Sequence, residues 1–246
     1  MYLTVQALVL RVTDYNDQDA LLTLLTREQG KLTVKARGLR RKNSPLVAPC
    51  QLLSYADFTL FEYRGMYTIN EAASIELFTP LRRDLVKLAL GTYFAQCAAV
   101  IAQEDLPNPE LLSLVLNCLY GLSVMELPED QVKAAFEIRA ACIAGYTPDL
   151  FGCRICGSQE PAYLDLSGGA LLCEKCRNAG TGIRLPVNAA IVDALRYLTY
   201  CDSRRLFSFR LGQENIEQLS SITEAYLTTQ LEQGFSSLDF YKSLLI

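Results

Sequence analysis

The chain has 246 residues, half of them hydrophobic and a fifth charged, with a net charge of −4, nine cysteines and no histidine. That composition describes a folded protein rather than a disordered one. The missing imidazole excludes a Ser-His-Asp triad, a Cys-His pair and any histidine-ligated metal, and the absence of phosphate-cradling glycine motifs leaves nucleotide-dependent catalysis without support.

No apolar run reaches the roughly 18 residues of a membrane span. The start, Met1-Tyr2-Leu3-Thr4-Val5, has no basic region ahead of an apolar one, so no secretory leader is expected. An odd cysteine count, with Cys97, Cys118 and Cys142 in helix-like apolar stretches, suits reduced thiols in a cytoplasmic protein. No membrane partner and no enzymatic activity are expected.

The first 78 residues read as strands. Val5 to Val12 and Ala20 to Thr26 are apolar segments, and Gly30 suits the turn into Lys31 to Arg37. There, Leu32, Val34 and Ala36 alternate with Lys31, Thr33, Lys35 and Arg37. Leu52 to Tyr63 and Met66 to Leu77 are joined at Arg64-Gly65. Five short antiparallel strands predict a small closed barrel of the OB type, an architecture that often binds single-stranded nucleic acid.

Between Arg27 and Lys42 stand seven basic residues against one acid, Glu28. Most charge runs are solvated faces, but here alternation puts Lys31, Lys35 and Arg37 on one side of a strand. Arg40, Arg41 and Lys42 then extend the run as flexible donors on a loop. Such a cluster matches a phosphate backbone, so these six are the candidate DNA-binding residues. On the strand 52–63, Tyr55, Phe61 and Tyr63 share a face that either stacks bases or packs against a helical body; packing is the expectation.

Helical patterning follows Pro80. Leu81 to Gln103 is apolar at helical spacing, and Asn108-Pro109 caps and opens the next helix. A third starts after Pro128, with Glu129 and Asp130 at its positive end, and stops at Gly145. On that helix Phe136 is apolar, and Lys133 and Arg139 could rim a groove for an acidic, hydrophobic peptide tail; core packing is the plainer reading. Two more helices are expected from Pro186 to Tyr200 and from about Gln213 to Gln233, with a helical tail over Leu238 to Ile246.

Cys153-Arg-Ile-Cys156 and Cys173-Glu-Lys-Cys176 interrupt this helical body. Their spacing fits two facing knuckles that supply four thiolates to one tetrahedral ion, with Gly168-Gly169 turning a hairpin between them. Soft thiolates suit Zn²⁺, with iron the rival in the same cage. A complete four-sulfur set has no open position for water, so the ion is expected to be structural, stapling a segment too small to build its own core.

The expected architecture is α+β and multidomain: an OB-fold barrel over residues 1–79, an all-α domain over 80–150 and 181–246, and an inserted four-cysteine zinc ribbon over 151–180. The stretch Lys35-Ala-Arg-Gly-Leu-Arg-Arg-Lys-Asn-Ser44 after a strand–Gly–strand hairpin resembles the basic segment of the RecO recombination-mediator family. So do Phe136-Glu-Ile-Arg139 and Gly145-Tyr-Thr-Pro-Asp-Leu150 leading into Cys153. The order of these features matches over essentially the whole chain. The resemblance implies a non-enzymatic DNA-repair protein of bacterial cytoplasm, associated with the nucleoid. It implies binding to single- and double-stranded DNA, annealing of complementary strands and action with RecR. It also implies loading of RecA onto DNA coated by single-stranded DNA-binding protein, whose acidic C-terminal tail it would contact. The alternative is a protein-interaction adaptor whose helical domain docks acidic tails, with DNA binding secondary.

Overall fold

The computed structural model describes residues 2–179 and 182–245. The expected domain edges at Met1, at 180/181 and at Ile246 lie outside them. The chain divides into two compact units, Met1–Glu126 with Phe235–Ile246, and Leu127–Gly234. Compactness therefore follows packing rather than the change from strand to helix at Pro80.

In the first unit, β1 (Tyr2–Asp14), β2 (Ala20–Thr26), β3 (Lys31–Ala36), β4 (Tyr55–Tyr63) and β5 (Met66–Glu76) close into a barrel of order β1-β2-β3-β5-β4. The closed five-stranded barrel is as expected. One pairing is not antiparallel: β3 meets β5 in parallel, with Val34 opposite Tyr67 and Lys35 opposite Thr68. Period-two alternation turns Val5, Ala7, Val9, Leu22, Leu24, Leu32, Val34, Phe58 and Leu60 inward to form one core. Phe58 is fully buried, so its truncation to alanine would cost about 3–5 kcal/mol.

The long strand β1 pairs with β4 through its first half and with β2 through its second, shifting register between Val9 and Arg11. Such a bulge bends a strand sharply enough to serve both sides of a barrel. On the outer face of this pairing, Leu8 stands opposite Leu25, and both are fully buried. Helix α1 (Leu85–Ile101) packs on β1 and β2 there, as an outward apolar pair requires.

Asp84 caps α1 by accepting from the backbone N–H groups of Val86 and Lys87. Asn108 caps α2 (Pro109–Ser123) through Leu111, with Pro109 in the first turn as its fixed φ favours. Gly91 brings α1 and α2 together: a Cβ there would lie 2.9 Å from Leu53 and 3.1 Å from Leu119. Helix α6 (Ser236–Ser243) packs on α1, where Phe235 meets Tyr93 edge-on at 5.6 Å and Ser237 donates to Gln96.

The second unit holds α3 (Glu129–Ile143), α4 (Ala189–Tyr200) and α5 (Gln213–Gln230). A small sheet of β6 (Tyr163–Asp165), β7 (Ala170–Leu172) and β8 (Arg184–Pro186) runs in the order β7-β6-β8. Gly145, at φ 96°, ends α3 as expected, and the Tyr146 N–H reaches back to the carbonyl of Ala141. The hairpin at Gly168-Gly169 forms as expected; β8 is not evident in the sequence, because Pro186 within it reads as a helix opening.

Candidate nucleic-acid interface and metal centre

The basic loop leaves the barrel where β3 ends. Gly38 turns it at φ 66°, a left-handed conformation that glycine adopts without steric cost. Successive turns follow, with Arg41 N–H donating to Gly38 O and Ser44 N–H to Arg41 O.

The loop is not a set of flexible donors. The β1–β2 connection folds against it and ties it at several points. Asp19 accepts from the Gly38 N–H at 2.9 Å and pairs with Lys35 at 3.0 Å. Asn16 in turn accepts from the N–H groups of Gln18 and Asp19. Arg40 donates to Asn16 O and lies 3.3 Å from Asp14, while the Arg41 Nε donates to the Gln18 side chain at 2.8 Å. The Gly38 N–H first, then Lys35 and Asn16, hold the Asp19 carboxyl down at about 2. Asp19 is the organising residue that sequence reasoning missed. Its signal was the polar run Asn16-Asp17-Gln18-Asp19, a turn composition that says nothing of what the turn will touch.

The six candidate residues therefore divide. Lys31 is half-buried, and its Nζ donates at 2.9 Å to the carbonyl of Ala99 in the last turn of α1, where a helix accumulates partial negative charge. Lys35 is shared between Asp19 and the ring of Tyr15, 4.6 Å away. Arg37, Arg40, Arg41 and Lys42 are exposed. Arg37 and Arg41 line a groove of about 430 Å³ with Asn43, Ser44 and, from β5, Ile69 and Asn70.

In the second unit the four cysteines gather. The Sγ atoms of Cys153, Cys156, Cys173 and Cys176 all lie within 4.8 Å of one another. Cys156 and Cys173 are 3.6 Å apart. Four sulfurs about 2.3 Å from a tetrahedral ion would stand about 3.8 Å apart, whereas a disulfide requires about 2.05 Å. The donor set thus fits a metal.

The knuckles are made by tight turns: Gly157 N–H donates to Cys153 O, Cys153 N–H to Ser158 O, and Cys176 N–H to Cys173 O. Desolvation pushes the Cys153 thiol up, but the N–H groups of Cys156, Cys173 and Ile155 outweigh it and hold the thiol at about 6. Hydrogen bonds with Cys156 and Cys173 push Cys176 up to about 12. Four crowded thiols do not all ionise without a cation among them.

The residues expected to rim a tail-binding groove do not form one. Lys133 is 2% exposed and pairs with Glu137 at 3.0 Å and Glu224 at 2.9 Å, and it also donates to Ser220 O. Burial works against its charge, but Glu137 and then Glu224 outweigh that and raise its pKa. Phe136 is fully buried, and Arg139 is occupied by the carbonyl of Thr199 at 2.8 Å. Helix α3 packs against both α4 and α5, and its residues 132–138 are buried.

The model for the N-terminal domain of recombination protein O matches residues 1–78, and that for its C-terminal domain matches residues 82–239. The chain belongs to the RecO family. This RecO-family chain is 32% identical over 245 residues to the DNA repair protein RecO of Acetivibrio thermocellus, covering 99% of the chain and 97% of that relative. It is 30% identical over 247 residues to the protein of the same name from Symbiobacterium thermophilum, covering 98% and 96%. With the one from Bacillus subtilis it shares 29% over 222 residues, covering 90% and 86%. The family expected from the basic segment and the Gly145–Leu150 stretch is thus borne out, as are the barrel and the four-cysteine cluster. No helix among the described residues is long and apolar enough to cross a membrane.

Proposed function

We propose that the chain is a DNA-binding recombination mediator that works without a catalytic residue. The observation that carries this reading is the basic loop, where Arg37, Arg40, Arg41 and Lys42 stand exposed on a segment anchored to a closed barrel. Anchoring matters because donors already held in place lose less freedom on binding. Phosphates of one or two strands would lie against these cations, with Lys35 and Lys31 contributing field more than contact. Screening the repulsion between two strands lets complementary bases meet, which is annealing.

Family membership supports the finer picture of binding to single- and double-stranded DNA in bacterial cytoplasm at the nucleoid. It also supports action with RecR, contact with the acidic tail of single-stranded DNA-binding protein, and delivery of RecA to coated DNA. We assign the DNA role to residues 1–79, the helical role to 80–150 with 181–246, and the metal to 151–180. Cys153, Cys156, Cys173 and Cys176 would hold one Zn²⁺, which supplies a cross-link between the two knuckles and no reaction chemistry.

A strand-annealing assay on DNA coated with single-stranded DNA-binding protein tests the reading. The Arg40→Ala/Arg41→Ala/Lys42→Ala variant is expected to lose annealing while keeping its fold. Normal annealing by that variant would overturn the assignment of the loop.

A further inference from the structure

Outside the basic loop, the barrel carries aromatic side chains that no core uses. Tyr2 is 63% exposed, Tyr63 62% and Phe61 40%. All three stand exposed, whereas packing against a helical body is the expectation for the face of Phe61 and Tyr63. Instead Tyr2 and Phe61 are directly opposed across β1 and β4, with ring centroids 5.3 Å apart and planes tilted by 52°. The Arg64 guanidinium lies 5.2 Å from the Tyr63 ring centre. Arg64 holds φ 52° in the Arg64-Gly65 turn, a place where asparagine or glycine would sit with less strain.

Strand register connects these rings to the basic edge. Lys35 stands opposite Thr68, Thr68 opposite Phe61, and Phe61 opposite Tyr2. Residues directly opposite share a face, so Lys35, Thr68, Phe61 and Tyr2 form one row across the outer wall of β3, β5, β4 and β1. Three strand spacings make that row about 14 Å long. Arg37 lies two residues beyond Lys35 on the same side. At the other end Tyr63 is opposite Met66. Glu62 alternates with Phe61 and Tyr63 and belongs to the other side. Of the acids on the outer face, Glu71 is opposite Thr59, the next outward pair along from Phe61, and Glu76 is opposite Tyr55, with Asp57 between them on β4.

We propose that Tyr2, Phe61 and Tyr63 form a stacking platform for unpaired bases of a single nucleic-acid strand. Its phosphates run towards Arg37 at the basic edge, while Arg64 stays on the Tyr63 ring and Lys35 on Asp19. The inference rests on the DNA-binding reading and deepens it. Exposed rings interleaved with cations suit a strand whose bases have faces to offer and whose backbone is anionic. A duplex keeps its base faces stacked inside and gains nothing from the rings. The platform therefore separates single-strand from duplex affinity, which phosphate contacts alone do not.

The chain has no tryptophan, so Tyr63→Trp introduces a single reporter that preserves stacking. With the full chain, its fluorescence is expected to be quenched by oligo-dT and not by duplex. Tyr2→Ala/Phe61→Ala/Tyr63→Ala should weaken oligo-dT binding about tenfold or more, while leaving duplex affinity and the salt dependence unchanged. Oligo-dT that binds the unmodified chain and the alanine variant equally, or that leaves the tryptophan unquenched, would overturn the platform. A variant that alters self-association but not DNA affinity would mark the rings as a protein contact and overturn it too. Failure of the unmodified chain to bind any DNA would instead overturn the underlying reading, so the two failures are distinguishable.

Discussion

The salt dependence of DNA binding gives the most direct test of how the basic residues are used. Six cations in sequence would give a log–log slope near −4 on single strands, at about −0.7 per phosphate neutralised. The structure withdraws two of them: Lys31 is bonded to the end of α1 and Lys35 is paired with Asp19. Arg40 remains available, because its pair with Asp14 is exposed on both sides and such pairs are worth little. Four contacts imply a slope of about −2.8 on single strands and about −3.6 on duplex. Replacing Arg40, Arg41 and Lys42 with alanine leaves Arg37 and a slope of about −0.7 on single strands. If the two proteins converge near 1 M salt, the variant is weaker by about a hundredfold at 0.1 M. Fluorescence anisotropy of labelled oligo-dT across a salt series measures this. A slope near −4 for the unmodified chain would mean that Lys31 and Lys35 leave their partners. A slope unchanged in the variant would mean that the loop does not touch phosphate.

Three further outcomes follow from particular contacts. The Asp19 carboxyl is held at about 2 in the fold, below the ordinary carboxylate value of about 3.9, so its stabilisation of the loop is complete above pH 4 and is lost as pH falls towards 2; the Gly38 amide shift in an NMR titration should show a midpoint near 2, and one near 4 would refute the clamp. Lys133→Met should destabilise the second unit by about 3–5 kcal/mol by stranding the buried Glu137, whereas Lys133→Met with Glu137→Leu should recover much of that in chemical denaturation; equal stability of the single variant would argue against a charged pair. Protein purified without added metal should carry about one zinc per chain by elemental analysis, and chelation should loosen amide protection in the cysteine knuckles while leaving the barrel protected; a stoichiometry near zero would remove the staple.

Much of the barrel was legible because alternation is a local signal: Leu32, Val34 and Ala36 point inward wherever β3 is placed. Helix boundaries were legible for the same reason at Asn108-Pro109 and Gly145, where one residue's backbone preference decides. The four-cysteine cluster was legible from spacing alone. What stayed hidden depended on partners distant in sequence. Lys31 and Lys35 look alike along β3, but one meets the end of α1 and the other meets Asp19. Lys133 reads as the rim of an amphipathic helix until α5 supplies Glu224. The parallel pairing of β3 with β5 was hidden too, since nothing in either strand records which neighbour closes the barrel.

The first unit is discontinuous in sequence, and this bears on how the chain acquires its structure. Docking Phe235 against Tyr93 closes an excursion of some hundred residues, Leu127–Gly234. If that excursion were disordered, closure would cost roughly 4 kcal/mol of chain entropy beyond a constant. Were it already folded, its ends would be held at a fixed separation and most of that cost would already have been met. The final helix of the first unit is thus expected to join last, after the intervening residues have ordered. A lesion in the cysteine knuckles would then slow maturation of α6, a helix that belongs to the other unit.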